Sequence, residues 1–407
     1  MKNCIVLLLL ATLPTAAQKK ADRKTLENLQ TTVSTLNADS LQGRQTGTPG
    51  ETRAAAWISA HMQQDGLQPK GDSGYFQCFV IKDAMQTAAS ALLRINDHPL
   101  APNEQFYALP FSATKAAKGD VIPHVNEPNN IWLVDLSTQE IPADKILEHL
   151  HKQATEAIKT SATAVVFYNG NIPAAELEKW SHTTMKPLSI PVLWVTAPTA
   201  KQYMGEDADN LSVDLKVAFE HVRTHGTNVI GFIDNSAPQT VIVSAPYDGA
   251  PARKNDDKAS ATAALLELGR LLKASKLHNN NYLLVAVSGQ EQGGLGSTWF
   301  DQHCTIAGNA VNYIVKLAPM GHADKGLRVQ GCASANAFKQ LLSDVTPNSL
   351  KVDVDSATLP QSNAPALAFS TPDDAAAPVN YNGTLDVVKM VYSLIEKANS
   401  QGKLAHP

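Results

Sequence analysis

The chain has 407 residues, 43% hydrophobic and 18% charged, with a formal net charge of -4. That content is enough for a large buried core, and the length is enough for two domains. Without a long basic or acidic block, the sequence offers no electrostatic footprint for nucleic acid or for an anionic membrane surface.

The first residues read as an address. Lys2 supplies a positive start, Ile5 to Leu10 is a compact apolar run, and Thr15-Ala16-Ala17 offers small residues for cleavage before Gln18. Residues 1–17 are therefore expected to be a signal peptide, and the mature chain to be periplasmic or secreted by a bacterium. The run is too short to span a bilayer, and no later segment reaches the roughly 18 apolar residues that a membrane helix needs. Cys4 precedes the apolar run, which does not suit lipid attachment at the cleavage point. Cys78, Cys304 and Cys332 remain after cleavage. Export would permit a Cys304–Cys332 bridge, buried free thiols are as good a reading, and none of the three has metal-type spacing.

Residues 18–90 begin with a helical layer. Leu26, Leu29, Val33 and Leu36 recur at helical spacing, a Gly/Pro/Thr loop follows around Arg44 and Thr46, and Ala54 to Met62 resumes the helical period. Arg44 and Thr46 are expected to pack this layer onto the core. Residues 91–219 shift to short apolar runs such as IWLVDL, AVVFYN and IPVLWV, with one helical stretch at Ile146 to Ile158, which reads as a small β-rich module. From residue 220 to 407 the rhythm is strand, helix, strand, helix. TVIVSA, YLLVAVS, NYIVKL and PALAFS read as strands, and Ala259 to Ser275, Ser334 to Val345 and Leu385 to Ala398 as helices. The alternation predicts an α/β fold, a three-layer mostly parallel sheet with helices on both faces, interrupted by the inserted module. Sites in such sheets form at the carboxyl ends of the strands.

Those ends carry VIVSAPYDG, NDDKASATAALLEL and YLLVAVSGQEQGGLGS. In order and character they resemble the M28 family of zinc exopeptidases, whose matching text runs roughly SAHYD, GADDNASG and SGEEQGLLGS. The segments around Arg44 and after Asp65 are similar to family text as well, and residues 91–219 resemble the protease-associated domain often inserted into these enzymes. The resemblance implies two zinc ions held by five protein ligands, with a glutamate base for the attacking water.

Position by position, much of that set is replaced. The first ligand, a His, falls on Pro246, and proline offers a metal no lone pair. Asp248 matches the carboxylate that orients that His, and a turn cap with Gly249 is the plain alternative. Asp256 matches the bridging ligand within Asp256-Asp257, although an acid at a helix start is favoured by the helix dipole alone. The base falls on Gln290, whose amide cannot accept a proton from water. Glu291 keeps a ligand position. Ala318 falls on a further ligand, and PVNYNGTLDVV replaces the segment of the last His; only His406 follows His322. His322 could reach in as a substitute donor, but a loop His of this kind is ordinarily solvated.

Two carboxylates, Asp256 and Glu291, are left without an imidazole, which is poor for zinc. No cofactor is therefore expected. Lys258 stands where the family has Asn, and its ammonium could replace metal charge near Asp256 and Glu291, with Asp248, Asp257 and Lys258 lining the cleft. The expected function is a catalytically silent M28-type scaffold that binds a peptide or protein partner. The alternatives are an active aminopeptidase with altered ligands and a glutaminyl-cyclase-like acyltransferase, both of which need a His donor.

Overall fold

A computed structural model describes residues 13–123, 125–205, 210–249, 257–331, 336–355, 364–372, 374 and 377–404. The apolar run at Ile5–Leu10, Asp256, Cys332 and His406 lie outside the described residues. The chain forms two compact units, one of residues 1–81 with 225–407 and one spanning Lys82–Thr224.

The first unit opens with α1 (Leu13–Leu36), α2 (Pro49–Gln64), β1 (Gln68–Pro69) and β2 (Phe76–Thr87). Thr48 caps α2, accepting from the backbone of Glu51. The Pro49 that follows starts the helix without sacrificing a needed donor.

The second unit holds β3 (Leu92–Ile95), β4 (His98–Pro99), β5 (Phe106–Ala108), β6 (Ala116–Val121), β7 (Ile131–Asp135), α3 (Ile146–Lys159), β8 (Ala164–Tyr168), α4 (Ala174–Ser181), β9 (Val192–Val195), α5 (Ala197–Tyr203) and β10 (Leu211–Lys216). They build two four-stranded sheets, ordered β4-β3-β10-β6 and β5-β9-β8-β7. The unit starts earlier and ends later than the expected 91–219. The reason is that β2 and β11 (Phe219–Ile233) are single long strands that carry the chain into and out of it.

The first unit resumes with β12 (Thr240–Pro246), α6 (Lys258–Ala274), β13 (Asn281–Val287), α7 (Leu295–Gln302), β14 (Val311–Leu317), β15 (Leu327–Gln330), α8 (Asn336–Val345), β16 (Val352–Asp355), β17 (Ala366–Ser370) and α9 (Tyr381–Asn399). Its sheet runs β1-β11-β13-β12-β14-β17-β15-β16, with β2 also pairing β11. The centre is parallel, β13-β12-β14-β17, and the antiparallel pairings lie toward the margins at β1–β11, β11–β13 and β15–β17.

Why those four runs become central strands follows from burial. Every residue of β13 is buried, so the segment can be apolar throughout instead of alternating. Val241, Val243, Leu284 and Val315 face the cluster that packs α1, α2, α6, α8 and α9, while Ile242, Leu283 and Val285 face a second cluster with Phe300 of α7. The three layers are thus helices, sheet, helix. No helix among the described residues is long and apolar enough to cross a membrane. Among the described residues, Cys78 is a free, exposed thiol and Cys304 a free, partly buried one.

Candidate functional site

The suspect segments converge at the carboxyl ends of β12, β13 and β14. Pro246 is the last ladder residue of the central strand β12, opposite Val287. Placed at the strand end, its missing N–H costs the sheet little. Its carbonyl accepts from Thr262 Oγ1 at 2.8 Å, which ties the strand to α6.

Asp248, two residues on, is fully buried. One carboxylate oxygen accepts from Glu291 N at 3.2 Å and from Thr46 Oγ1 at 3.3 Å. The other, Oδ1, has no hydrogen-bond partner among the described residues. Asp248 thus pins the Gln290–Glu291 loop to the Arg44–Thr46 loop. Burial raises its pKa, against lowering by the Glu291 amide and the Lys258 ammonium.

Thr46 is the hub of that junction. Its hydroxyl accepts from Gly289 N at 3.0 Å and from Ser288 Oγ at 3.1 Å. Arg44 is buried beside it and donates to Tyr247 O at 2.7 Å and to Asn37 Oδ1 at 3.1 Å. These bonds explain the loop in the terms expected from sequence, as packing of the N-terminal layer onto the core. Glu51, which sequence reasoning passed over, completes the network. It accepts from Gly47 N at 2.6 Å, Thr227 N at 3.0 Å and Tyr247 Oη at 3.4 Å. Its one legible signal was the Thr48-x-x-Glu51 spacing of a helix start.

The loop after β13 turns on Gly289, Gly293 and Gly294, all at positive φ. Gly296 is held by close approach: a Cβ there would lie 2.2 Å from Ser288 O and 2.5 Å from Asn228 Oδ1. Glu291 projects from this loop, and its Oε1 receives the Nζ of Lys258. Lys258 is the first residue of α6, where a cation is disfavoured by the helix dipole, and the Glu291 carboxylate offsets that. With Glu291 nearly half exposed, the pair contributes about 1 kcal/mol or less.

Of the acid pair, Asp257 is the described member. It occupies the N-cap position of α6 with 2% of its surface exposed. Its Oδ2 lies 3.9 Å from Nε2 of His322, which is also buried. The expectation of a solvated His322 is therefore corrected: Thr371 Oγ1 accepts from its backbone, and the loop folds inward. Met320 N donates to Ser260 Oγ at 2.8 Å, fixing the loop after β14 to α6. Asn380, from the segment without the last His, caps α9 through Gly383 N and donates its own N–H to Gly321 O.

Pro246, Lys258, Gln290 and Ala318 line one cavity of about 300 Å³, together with Ser297 and Lys316. Three positions that the family resemblance assigns to chemistry thus share a wall. Asp248 and Asp257, expected on the cleft surface, are buried away from solvent. Lys316 went unremarked in the sequence because a lone lysine in a strand carries no signal of where it points. Among the described residues, no three His, Cys, Asp or Glu side chains come together as a group able to hold a metal.

Residues 228–384 match the sequence model of peptidase family M28. No curated protein sequence matches the chain. Among solved structures it is similar to the aminopeptidase from Aneurinibacillus sp. strain AM-1, at 17% identity and TM-score 0.47, over 94% of this chain and 95% of that one. It is similar to BSAP, a zinc aminopeptidase from Bacillus subtilis, at 17% identity and TM-score 0.49, over 92% and 95%. It is also similar to the glutaminyl cyclase of Porphyromonas gingivalis, at 11% identity and TM-score 0.44, over 93% and 98%. The matched segment, residues 228–384, contains Pro246, Asp248, Gln290, Glu291 and Ala318, and over that segment the chain is similar to peptidase family M28.

Proposed function

We propose that this M28 protein is exported, does not hydrolyse peptides through two zinc ions, and acts by binding a peptide or protein partner. The observation that carries the reading is the Lys258 ammonium on Glu291, the carboxylate that the family resemblance gives to metal. An ammonium there repels a divalent cation and offsets part of the charge that the cation would have neutralised. The donor set around it does not fit two zinc ions. Pro246 and Ala318 have no side-chain donor, and Gln290 cannot serve as a general base. The unpartnered Oδ1 of Asp248 agrees with the loss of the imidazole it would orient.

The second reading, an aminopeptidase with altered ligands, rests on one observation, the buried His322 facing Asp257 across 3.9 Å. Metal analysis of purified protein alongside hydrolysis of amino-acid anilides separates the two. The binding reading expects substoichiometric zinc and no chelator-sensitive cleavage, together with calorimetric binding of a peptide. Stoichiometric zinc with activity lost in His322→Ala would establish the second reading. A peptide screen without hits would remove the binding claim.

A further inference from the structure

The second unit has a cleft of its own, independent of the M28 site and of the function proposed for it. It encloses about 480 Å³ between β2, β5, α4 and the chain that follows α4. Its apolar lining includes Met85, Tyr107, Leu177, Trp180, Met185 and Phe219. Met85, at the open side of this lining, is 47% exposed.

Several polar side chains of the same wall are already engaged with the protein. Gln86 Nε2 donates to Glu220 Oε1 at 2.7 Å, and Asn103 Nδ2 donates to Thr87 O at 2.6 Å. Thr87 Oγ1 accepts from Ala108 N at 2.8 Å, and Ser112 Oγ accepts from Val192 N at 2.7 Å. The two charges, Lys82 and Glu178, face each other at 3.8 Å. Glu178 also meets His182 Nε2 at 3.2 Å, so a charged ligand would have to compete with these pairings, whereas a neutral one leaves them intact. Among the described residues the hydroxyls of Tyr107, Thr114 and Thr184 make no protein hydrogen bond, and they supply neutral polar handles beside the apolar lining.

From this lining we infer that the cleft is a binding site for a small, neutral, largely apolar molecule with aromatic character. Aromatic and thioether walls adapt to ring systems, and sites of this size with few polar groups are typical for small ligands. An apolar cavity of about 150 Å³ takes one benzene ring, so this cleft has room for a ligand of roughly two or three rings.

The test uses the full-length mature protein and the neutral fluorophore N-phenyl-naphthylamine, followed by its emission and by quenching of tryptophan. One saturable site is expected. Anilinonaphthalene sulfonate, the same skeleton with a negative charge, should bind at least about tenfold more weakly, because burying its charge costs more than the 1.4 kcal/mol that a tenfold loss represents. Met85→Glu at the exposed wall and Ala174→Trp at the exposed rim should each weaken the neutral probe by about tenfold or more. Lys316→Glu, in the other unit, should leave it unchanged, with thermal melts confirming that all variants fold. Non-saturable binding, equal affinity for the charged analogue, indifference to both cleft variants, or loss in Lys316→Glu would each overturn the inference. So would displacement of the probe by an apolar hexapeptide and not by small aromatics.

Discussion

Thr46→Val tests the claim that one hydroxyl holds the loop carrying Gln290 and Glu291. The substitution keeps size and branching and removes the oxygen that meets Gly289 N, Ser288 Oγ and Asp248 Oδ2. The side chain is buried, so water cannot replace what is lost. Orphaning the Gly289 N–H costs about 1–3 kcal/mol, and losing two longer hydroxyl contacts adds about 0.5–1 kcal/mol, for a total of roughly 1.5–4 kcal/mol. At about 2–4 °C per kcal/mol for a unit of this size, Tm falls by roughly 3–16 °C. Hydrogen exchange of the 288–296 segment should accelerate by a factor set by the same free energy, and Thr46→Ser, which keeps the oxygen, should lose less than half as much. Should Thr46→Val melt within about 1 °C of the parent with unchanged exchange at Gly289 and Glu291, the hydroxyl is not the fastening and the account of this junction fails.

Glu51 gives a pH prediction. Burial raises its carboxyl above the ordinary value, and the nearby Asp248 carboxylate adds to the rise against lowering by Ser288, Gly47 and Thr227. Because the folded form holds the proton more tightly than the unfolded chain, this contribution is full below about pH 4.5 and is lost as pH rises through the raised folded value. Urea melts of Glu51→Gln should show a smaller decline across that window than the parent; parallel curves would refute the assignment. Gly296→Ala forces a methyl against Ser288 O and Asn228 Oδ1, so a loss of more than about 3 kcal/mol is expected in denaturant titration, against about 1 kcal/mol for an unhindered change. Chelator treatment should leave Tm unchanged, because the proposed function assigns no metal to the folded state. A metal held at about one hundred times its Kd would contribute about 2.7 kcal/mol, and its removal would be plain in a melt.

Elements that depend on local pattern were legible in the amino-acid sequence. Continuous apolar runs announced β12, β13, β14 and β17, since strands covered on both faces need no alternation, and helical spacing announced α1, α2, α6 and α9. The sequence also placed Pro246, Gln290 and Ala318 at strand ends, because motif order along the chain survives folding. The short outer strands β15 and β16 were not legible, for four residues carry too little period to distinguish them from loop. Which side chains meet became visible in the folded chain alone. Thr46 lies 202 residues from Asp248, Lys258 lies 33 from Glu291, and His322 closes on Asp257 from another strand end. Those encounters are set by how the β12, β13 and β14 termini converge, a property of sheet register and helix packing that no local window of sequence contains.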